Sequence, residues 1–177
     1  MIQLRFKILN WSLITLFIYI LCGVQTSLWF QFASGTPAPQ FWLVVLLYLV
    51  LYRSYIQALT YSYFLAFIIK SFSSASLSLL LPLFFILVSP ASYIKGRMFW
   101  PSTRYFLFAT FIFTLSFHVL SIFLSYYIEN TGAPLALTQR AIEITLTLIA
   151  AAPIYWVMNF IDQITIPDVM SSQGARE

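Results

Sequence analysis

Charged residues are scarce in this chain. Lys, Arg, Asp and Glu together make up 8% of the 177 residues, whereas apolar residues make up 61%. A soluble domain carries roughly 25% charged residues, so the composition excludes a soluble globular protein and indicates an integral membrane protein. The apolar runs are continuous and do not alternate with polar residues, which argues against a transmembrane barrel. We therefore expect an all-α, polytopic helical membrane protein.

Cysteine is nearly absent as well. The single Cys22 excludes an internal disulfide and a thiolate metal site, and we interpret it as a small core residue. The sequence also lacks HExxH, GxSxG, Walker and DDxxD-like patterns and has no cluster of metal ligands. We expect no catalytic residue, no metal and no cofactor, hence a protein that is not an enzyme. The basic residues are scattered, so no nucleic-acid partner is expected.

Six apolar runs follow one another along the chain, separated by charged residues or by Pro, Gly and Ser. They predict six transmembrane helices at roughly residues 8–30, 39–52, 55–69, 75–94, 105–128 and 137–161. Together these helices form one transmembrane domain over residues 1–164, and residues 165–177 form a short polar cytoplasmic tail. Three prolines inside the predicted helices are expected to kink them: Pro82, Pro90 and Pro153.

The stretch from residue 39 to residue 76 decides the topology. As one helix, residues 39–70 would extend about 48 Å, far beyond a hydrocarbon core of about 30 Å. Divided at Tyr52-Arg53-Ser54, the same stretch forms a hairpin of two short helices of about 21–24 Å each. The undivided helix would also leave Arg53 in the membrane, where a lone Arg costs at least about 2.5–3.5 kcal/mol. The hairpin, and hence six spans, is favoured.

The distribution of basic residues favours the same topology. With six spans and a cytoplasmic N-terminus, the outer side receives only Lys70 and Arg140. The cytoplasmic side then receives the other basic residues: Arg5, Lys7, Arg53, Lys95, Arg97, Arg104 and Arg176. Basic residues prefer the cytoplasmic side of membrane proteins, so we expect six spans with both termini in the cytoplasm.

A polar stripe runs along the fifth predicted helix. Its members lie three or four residues apart and therefore share one helical face: Thr110, Thr114, His118, Ser121 and Ser125. This face could line a proton relay or a substrate cavity, or it could allow close helix packing. Packing is favoured because no acid or base is evidently opposite His118. Arg140 and Glu143 are expected to pair locally near the outer interface, and Asp162 is expected to be interfacial.

Several punctuating features occur in a characteristic order. A segment rich in Gln and aromatic residues ends the first run at residues 25–31, Pro39 opens the second run, and Arg53 breaks it. A Ser-rich turn follows at residues 71–77, and the last run contains Pro153-Ile154-Tyr155 and ends at Ile161-Asp162. In this order and over nearly its whole length, the chain resembles the MreD family of the bacterial rod-shape machinery. One departure is Lys70, where family members commonly have Asp.

The resemblance implies a non-enzymatic scaffold of the bacterial inner membrane. Such a protein would bind the bitopic protein MreC through helix faces and help to link cytoplasmic MreB filaments to the peptidoglycan synthases, RodA and its penicillin-binding partner. The candidate interaction residues are those that punctuate the pattern: Pro39, Trp42, Arg53, Lys70, His118, Pro153 and Asp162. The family is also similar in span count to the substrate-binding subunits of vitamin transporters. A membrane subunit that binds a small molecule is therefore the alternative.

Overall fold

The structure, a computed structural model, describes residues 2–33, 35–73, 75–98, 102–129 and 136–165. These residues form seven α-helices and one π-helical segment, Val24–Leu28, which joins the first two helices. The helices are α1 (Ile2–Gly23), α2 (Trp29–Phe32), α3 (Phe41–Tyr52), α4 (Tyr55–Phe72), α5 (Leu77–Met98), α6 (Thr103–Ile128) and α7 (Leu137–Thr165). The described part of the chain contains no strand. The expected all-α class is confirmed, and the expected tail lies outside the described residues except for Thr165.

Six continuous helical rods result, because the backbone stays helical through the π-helical segment from α1 into α2. Four of these rods are long and apolar enough to cross a membrane: Phe6–Phe32, Leu77–Arg97, Thr103–Ile128 and Leu137–Thr165. The other two, α3 and α4, form the expected hairpin, with the expected break between Tyr52 and Tyr55. The helices α5 and α7 continue through their internal prolines.

The short helix α3 is the centre of the bundle. Its residues from Trp42 to Leu51 are all buried, and it packs against α1, α4, α5, α6 and α7. Its sequence, FWLVVLLYLVLY, is apolar on every side, as a helix enclosed by protein should be. With 12 residues it extends only about 18 Å. The surrounding helices shield α3 from lipid, so it does not need the length of a lipid-exposed span.

Hydrogen bonds at its two ends place α3 along the depth of the bundle. At its N-terminus, the Gln40 backbone N donates to Thr147 Oγ1 over 2.9 Å. At its C-terminus, Arg53 binds Asp162. We call these levels of the bundle the Gln40 end and the Arg53 end. Thr147 lies ten residues after Leu137, the first residue of α7. The start of α3 therefore lies about 15 Å further along the bundle than the start of α7, in the direction of the Arg53 end. In the expected orientation the Arg53 end is cytoplasmic.

Candidate functional site

A buried ion pair joins Arg53, which caps the C-terminus of α3, to Asp162 in α7. Their side chains are only 10% and 15% exposed. Asn10 of α1 binds both partners, since its Nδ2 donates to Asp162 Oδ1 over 2.9 Å and its Oδ1 accepts from Arg53 Nη2 over 3.1 Å. The Tyr48 hydroxyl donates to Asp162 Oδ2 over 2.9 Å. Both carboxylate oxygens are thus satisfied, as a buried charge requires. We call these four residues the Arg53 cluster.

Lys95 of α5 completes this end of the core. Its Nζ donates to the backbone oxygens of Arg53, over 2.6 Å, and Val50, over 3.3 Å. These carbonyls belong to the C-terminal end of α3, where a helix leaves its last carbonyl groups without intrahelical partners. A cation is favourable there because it opposes the negative end of the helix dipole. Polar contacts from α1, α5 and α7 therefore hold the end of α3 in place.

A second cluster surrounds His118, which is 5% exposed in α6. Arg140 Nη1 lies 3.2 Å from His118 Nδ1, and Glu143 Oε2 lies 3.5 Å from His118 Nε2. An Arg side chain only donates, so Nδ1 is the acceptor and the neutral ring carries its proton on Nε2, facing the carboxylate. We call these three residues the His118 cluster. The expectation that no acid or base lies opposite His118 is wrong, because α7 supplies both charged neighbours.

The polar stripe on α6 lies on one face, as expected. Its buried members are Thr110, Thr114, His118 and Ser125. Three of its hydroxyls donate to carbonyls of their own helix: Thr110 to Phe106, Ser121 to His118 and Ser125 to Ile122. The stripe therefore faces the interior of the bundle, where His118 contacts the charged residues of α7.

A cavity of about 250 Å³ lies at the Gln40 end, above the start of α3. The polar part of its wall consists of Gln25, Thr26, Gln40, Ser73 and Ser121. Trp42 and Phe117 contribute two of its aromatic surfaces, and Cys22 also lines it. The cavity adjoins the His118 cluster, because its lining residue Ser121 donates a hydrogen bond to the His118 carbonyl. We call it the Gln40 cavity.

Five of the seven candidate residues lie inside the bundle: Pro39, Trp42, Arg53, His118 and Asp162. Pro39 and Trp42 pack at the start of α3, and the other three belong to the two clusters. Lys70 and Pro153 are exposed. Asp162, expected to be interfacial, is the paired partner of Arg53. The interior candidates could influence a partner only by positioning helices, whereas Lys70 and Pro153 are accessible to one.

The sequence did not single out three residues of the Arg53 end: Asn10, Tyr48 and Lys95. Asn10 is 2% exposed and bonds to α7 across 152 residues of sequence. Its only signal in the sequence was an amide within an apolar run, which is costly in a membrane unless it is paired. No local pattern indicates which distant residue would pair with it.

The fold and the two clusters define a class: a polytopic α-helical membrane protein whose interior polar and charged residues contact one another across helices. Comparisons with protein-family models, with curated proteins and with solved structures find no match.

Proposed function

We propose that this protein is a non-enzymatic scaffold of the bacterial inner membrane that serves the rod-shape machinery, as its resemblance to the MreD family implies. In this role it binds MreC in the membrane. It thereby helps to link cytoplasmic MreB filaments to RodA and its penicillin-binding partner. The N- and C-termini face the cytoplasm, so the Arg53 end lies on the MreB side.

The observation that supports this proposal best is a groove between α1 and α4 on the outside of the bundle. Its volume is about 430 Å³ and its lining is Trp11, Ser12, Thr15, Leu16 and Tyr19 of α1 with Phe64 of α4. We call it the α1–α4 groove. It is mostly apolar and faces the bilayer, so its occupant should be a hydrophobic segment within the membrane.

A single transmembrane helix, such as that of bitopic MreC, suits this groove. Ser12 and Thr15 are small and lie one helical turn apart, so they let another helix approach closely and offer hydroxyls for hydrogen bonds. Trp11 forms one wall and stacks on Tyr61, with ring centroids 3.7 Å apart. This stacking holds the wall in place before a partner arrives, which reduces the entropy lost on binding.

Site-specific photocrosslinking tests the proposed contact. We expect p-benzoylphenylalanine at Leu16, which is 57% exposed in the groove, to crosslink to MreC in cells. Val119 is a matched control, because it is 60% exposed on α6, a helix remote from the groove. Equal crosslinking from both positions, or none from Leu16, would argue against the groove as the binding site of MreC.

Depletion tests the function itself. Loss of the protein should widen the cells and reduce the recovery of MreC with RodA after mild detergent extraction. Unchanged cell width together with unchanged MreC association would refute the scaffold proposal. The neighbouring genes provide a quick check, since those of rod-shape scaffolds are expected to encode MreB and MreC.

One observation favours the alternative, a substrate-binding membrane subunit of a vitamin-type transporter. The Gln40 cavity has polar and aromatic walls at the end that faces outward in the expected orientation. Its volume of about 250 Å³ is below the roughly 300–1,000 Å³ of pockets for drug-sized ligands. A vitamin-sized molecule would therefore require the cavity to expand. Native mass spectrometry of the purified protein should detect such a ligand if this alternative is correct.

A further inference from the structure

The wall of the Gln40 cavity combines polar side chains with apolar and aromatic ones. It lies where α3 begins inside the bundle, about 15 Å from the level of the start of α7. The segment after α1 forms one side, and none of the residues in Val24–Leu28 or in α2 is buried. This segment includes a π-helical turn, a feature frequent at functional sites, and it presents Gln25 and Thr26 to the cavity.

Three hydrogen-bond acceptors on its wall are not fully used. Gln25 Oε1 is buried and has no hydrogen-bond partner among the described residues. The Thr26 hydroxyl donates a hydrogen bond to the Cys22 carbonyl over 2.8 Å. The Ser121 hydroxyl donates one to the His118 carbonyl over 2.9 Å. A hydroxyl has one proton and two lone pairs, so both oxygens retain accepting capacity. An occupant that donates a hydrogen bond would satisfy these groups.

The charge of such an occupant is also constrained. Among the described residues, no Asp, Glu, Lys or Arg lines the cavity, so a charged ligand would be buried there without a directly facing counter-ion, which is costly. The N-terminus of α3 points into this region, and its Gln40 cap makes no side-chain hydrogen bond to the helix. The positive end of the helix dipole therefore further disfavours an organic cation, although aromatic faces such as those of Trp42 and Phe117 could otherwise attract one.

We infer that the Gln40 cavity is a binding site for a small neutral molecule with an apolar or aromatic body and an N–H or O–H donor. Its donor bonds to Gln25 Oε1, and its body lies against Trp42 and Phe117. At about 250 Å³, the site takes molecules smaller than a vitamin. The inference is independent of the scaffold role, because the α1–α4 groove and the Gln40 cavity have no lining residue in common.

Cys22 allows a direct test, since it lines the cavity and is the only cysteine in the chain. The protein, purified in detergent, is treated with methyl methanethiosulfonate, and modification of Cys22 is followed by intact-protein mass spectrometry. Two probes of nearly the same shape are compared: indole, which has an N–H donor, and benzofuran, which has an oxygen in its place. We expect indole to protect Cys22 at about tenfold lower concentration than benzofuran, because benzofuran leaves a buried acceptor unpaired.

Substitution of Gln25 identifies the group responsible. Gln25→Leu should remove the difference between the two probes, whereas Gln57→Leu, on the exposed face of α4, should leave it unchanged. Equal protection by indole and benzofuran in the unsubstituted protein would overturn the inference, even if the Gln25 variant failed to fold. Absence of protection by either probe would overturn it as well. The same conclusion would follow if Cys22 reacted only after the protein had been unfolded.

Discussion

Replacing Asp162 with Ala should destabilise the bundle more than a typical substitution. The carboxylate accepts hydrogen bonds from Arg53, from Asn10 over 2.9 Å and from Tyr48 over 2.9 Å. Removing it leaves the Arg53 guanidinium, whose side chain is 10% exposed, without its counter-ion. Breaking a buried ion pair on one side typically costs about 3–5 kcal/mol. That loss is a large fraction of the roughly 5–15 kcal/mol by which proteins are usually stable.

A double-mutant cycle separates the ion pair from the other contacts of these residues. In the double variant Arg53→Met with Asp162→Ala, neither member of the pair is left as a buried charge without its partner. We therefore expect the double variant to be less destabilised than the sum of the two single variants, with a coupling of about 1–3 kcal/mol. Unfolding by SDS in mixed micelles, followed by tryptophan fluorescence, would give the free energies of unfolding for the four proteins.

The exposed cation Lys70 in the last turn of α4 is the matched control. Lys70→Met should change the free energy of unfolding by no more than about 0.5 kcal/mol, as is usual for surface substitutions. If the losses from the Arg53 and Asp162 variants simply add, the two residues do not stabilise the bundle as a pair. A loss from Asp162→Ala no larger than that from Lys70→Met would refute the argument from burial.

Three further outcomes are expected. Lys95→Met should lower the free energy of unfolding in the SDS assay by about 1.5–3 kcal/mol, since it removes a charged hydrogen-bond donor from the carbonyls at the end of α3. Arg97→Met, at an exposed position of α5, should leave the free energy of unfolding nearly unchanged. Trp42→Ala should lower the free energy of unfolding by about 3–5 kcal/mol, because Trp42 is 5% exposed and packs against aromatic rings of α5 and α6. If unfolding of this variant is reversible and its free energy falls by less than about 1 kcal/mol, Trp42 does not belong to the core. Cysteines at Ser54 and Lys70, placed in a Cys22→Ser background, should be labelled by an impermeant thiol reagent from opposite sides of the membrane, and labelling of both from one side would overturn the six-span topology.

Local features of the sequence predicted the order of the helices and most of their bounds to within four residues, although α1 begins at Ile2 and not near residue 8 as predicted. The break at Arg53 followed from helix length and from the energy of a charge in lipid, and the structure ends α3 and begins α4 on either side of it. The inward polar face of α6 followed from spacing alone, since residues three or four apart share one side of a helix. Both inferences depend only on residues that are close together in the chain.

Other features depended on contacts between distant parts of the chain. Hydropathy showed that α3 was apolar but could not show that it is enclosed by five other helices, because lipid and protein interior are equally apolar surroundings. In the same way, His118 could be placed on the inner face of α6, but its approach to Arg140 and Glu143 depends on how α6 packs against α7.

The sequence by itself determined the class of this protein, an all-α membrane bundle, and the number and order of its helices. Composition, helix length and the high energy of unpaired charge in lipid are enough for those conclusions. Only the tertiary structure decided the partners of the interior polar residues. Asn10 meets Asp162 across 152 residues, and Gln25 faces a cavity that exists because α3 stops within the bundle. Such partnerships depend on the relative depth and rotation of packed helices, which local sequence patterns do not encode.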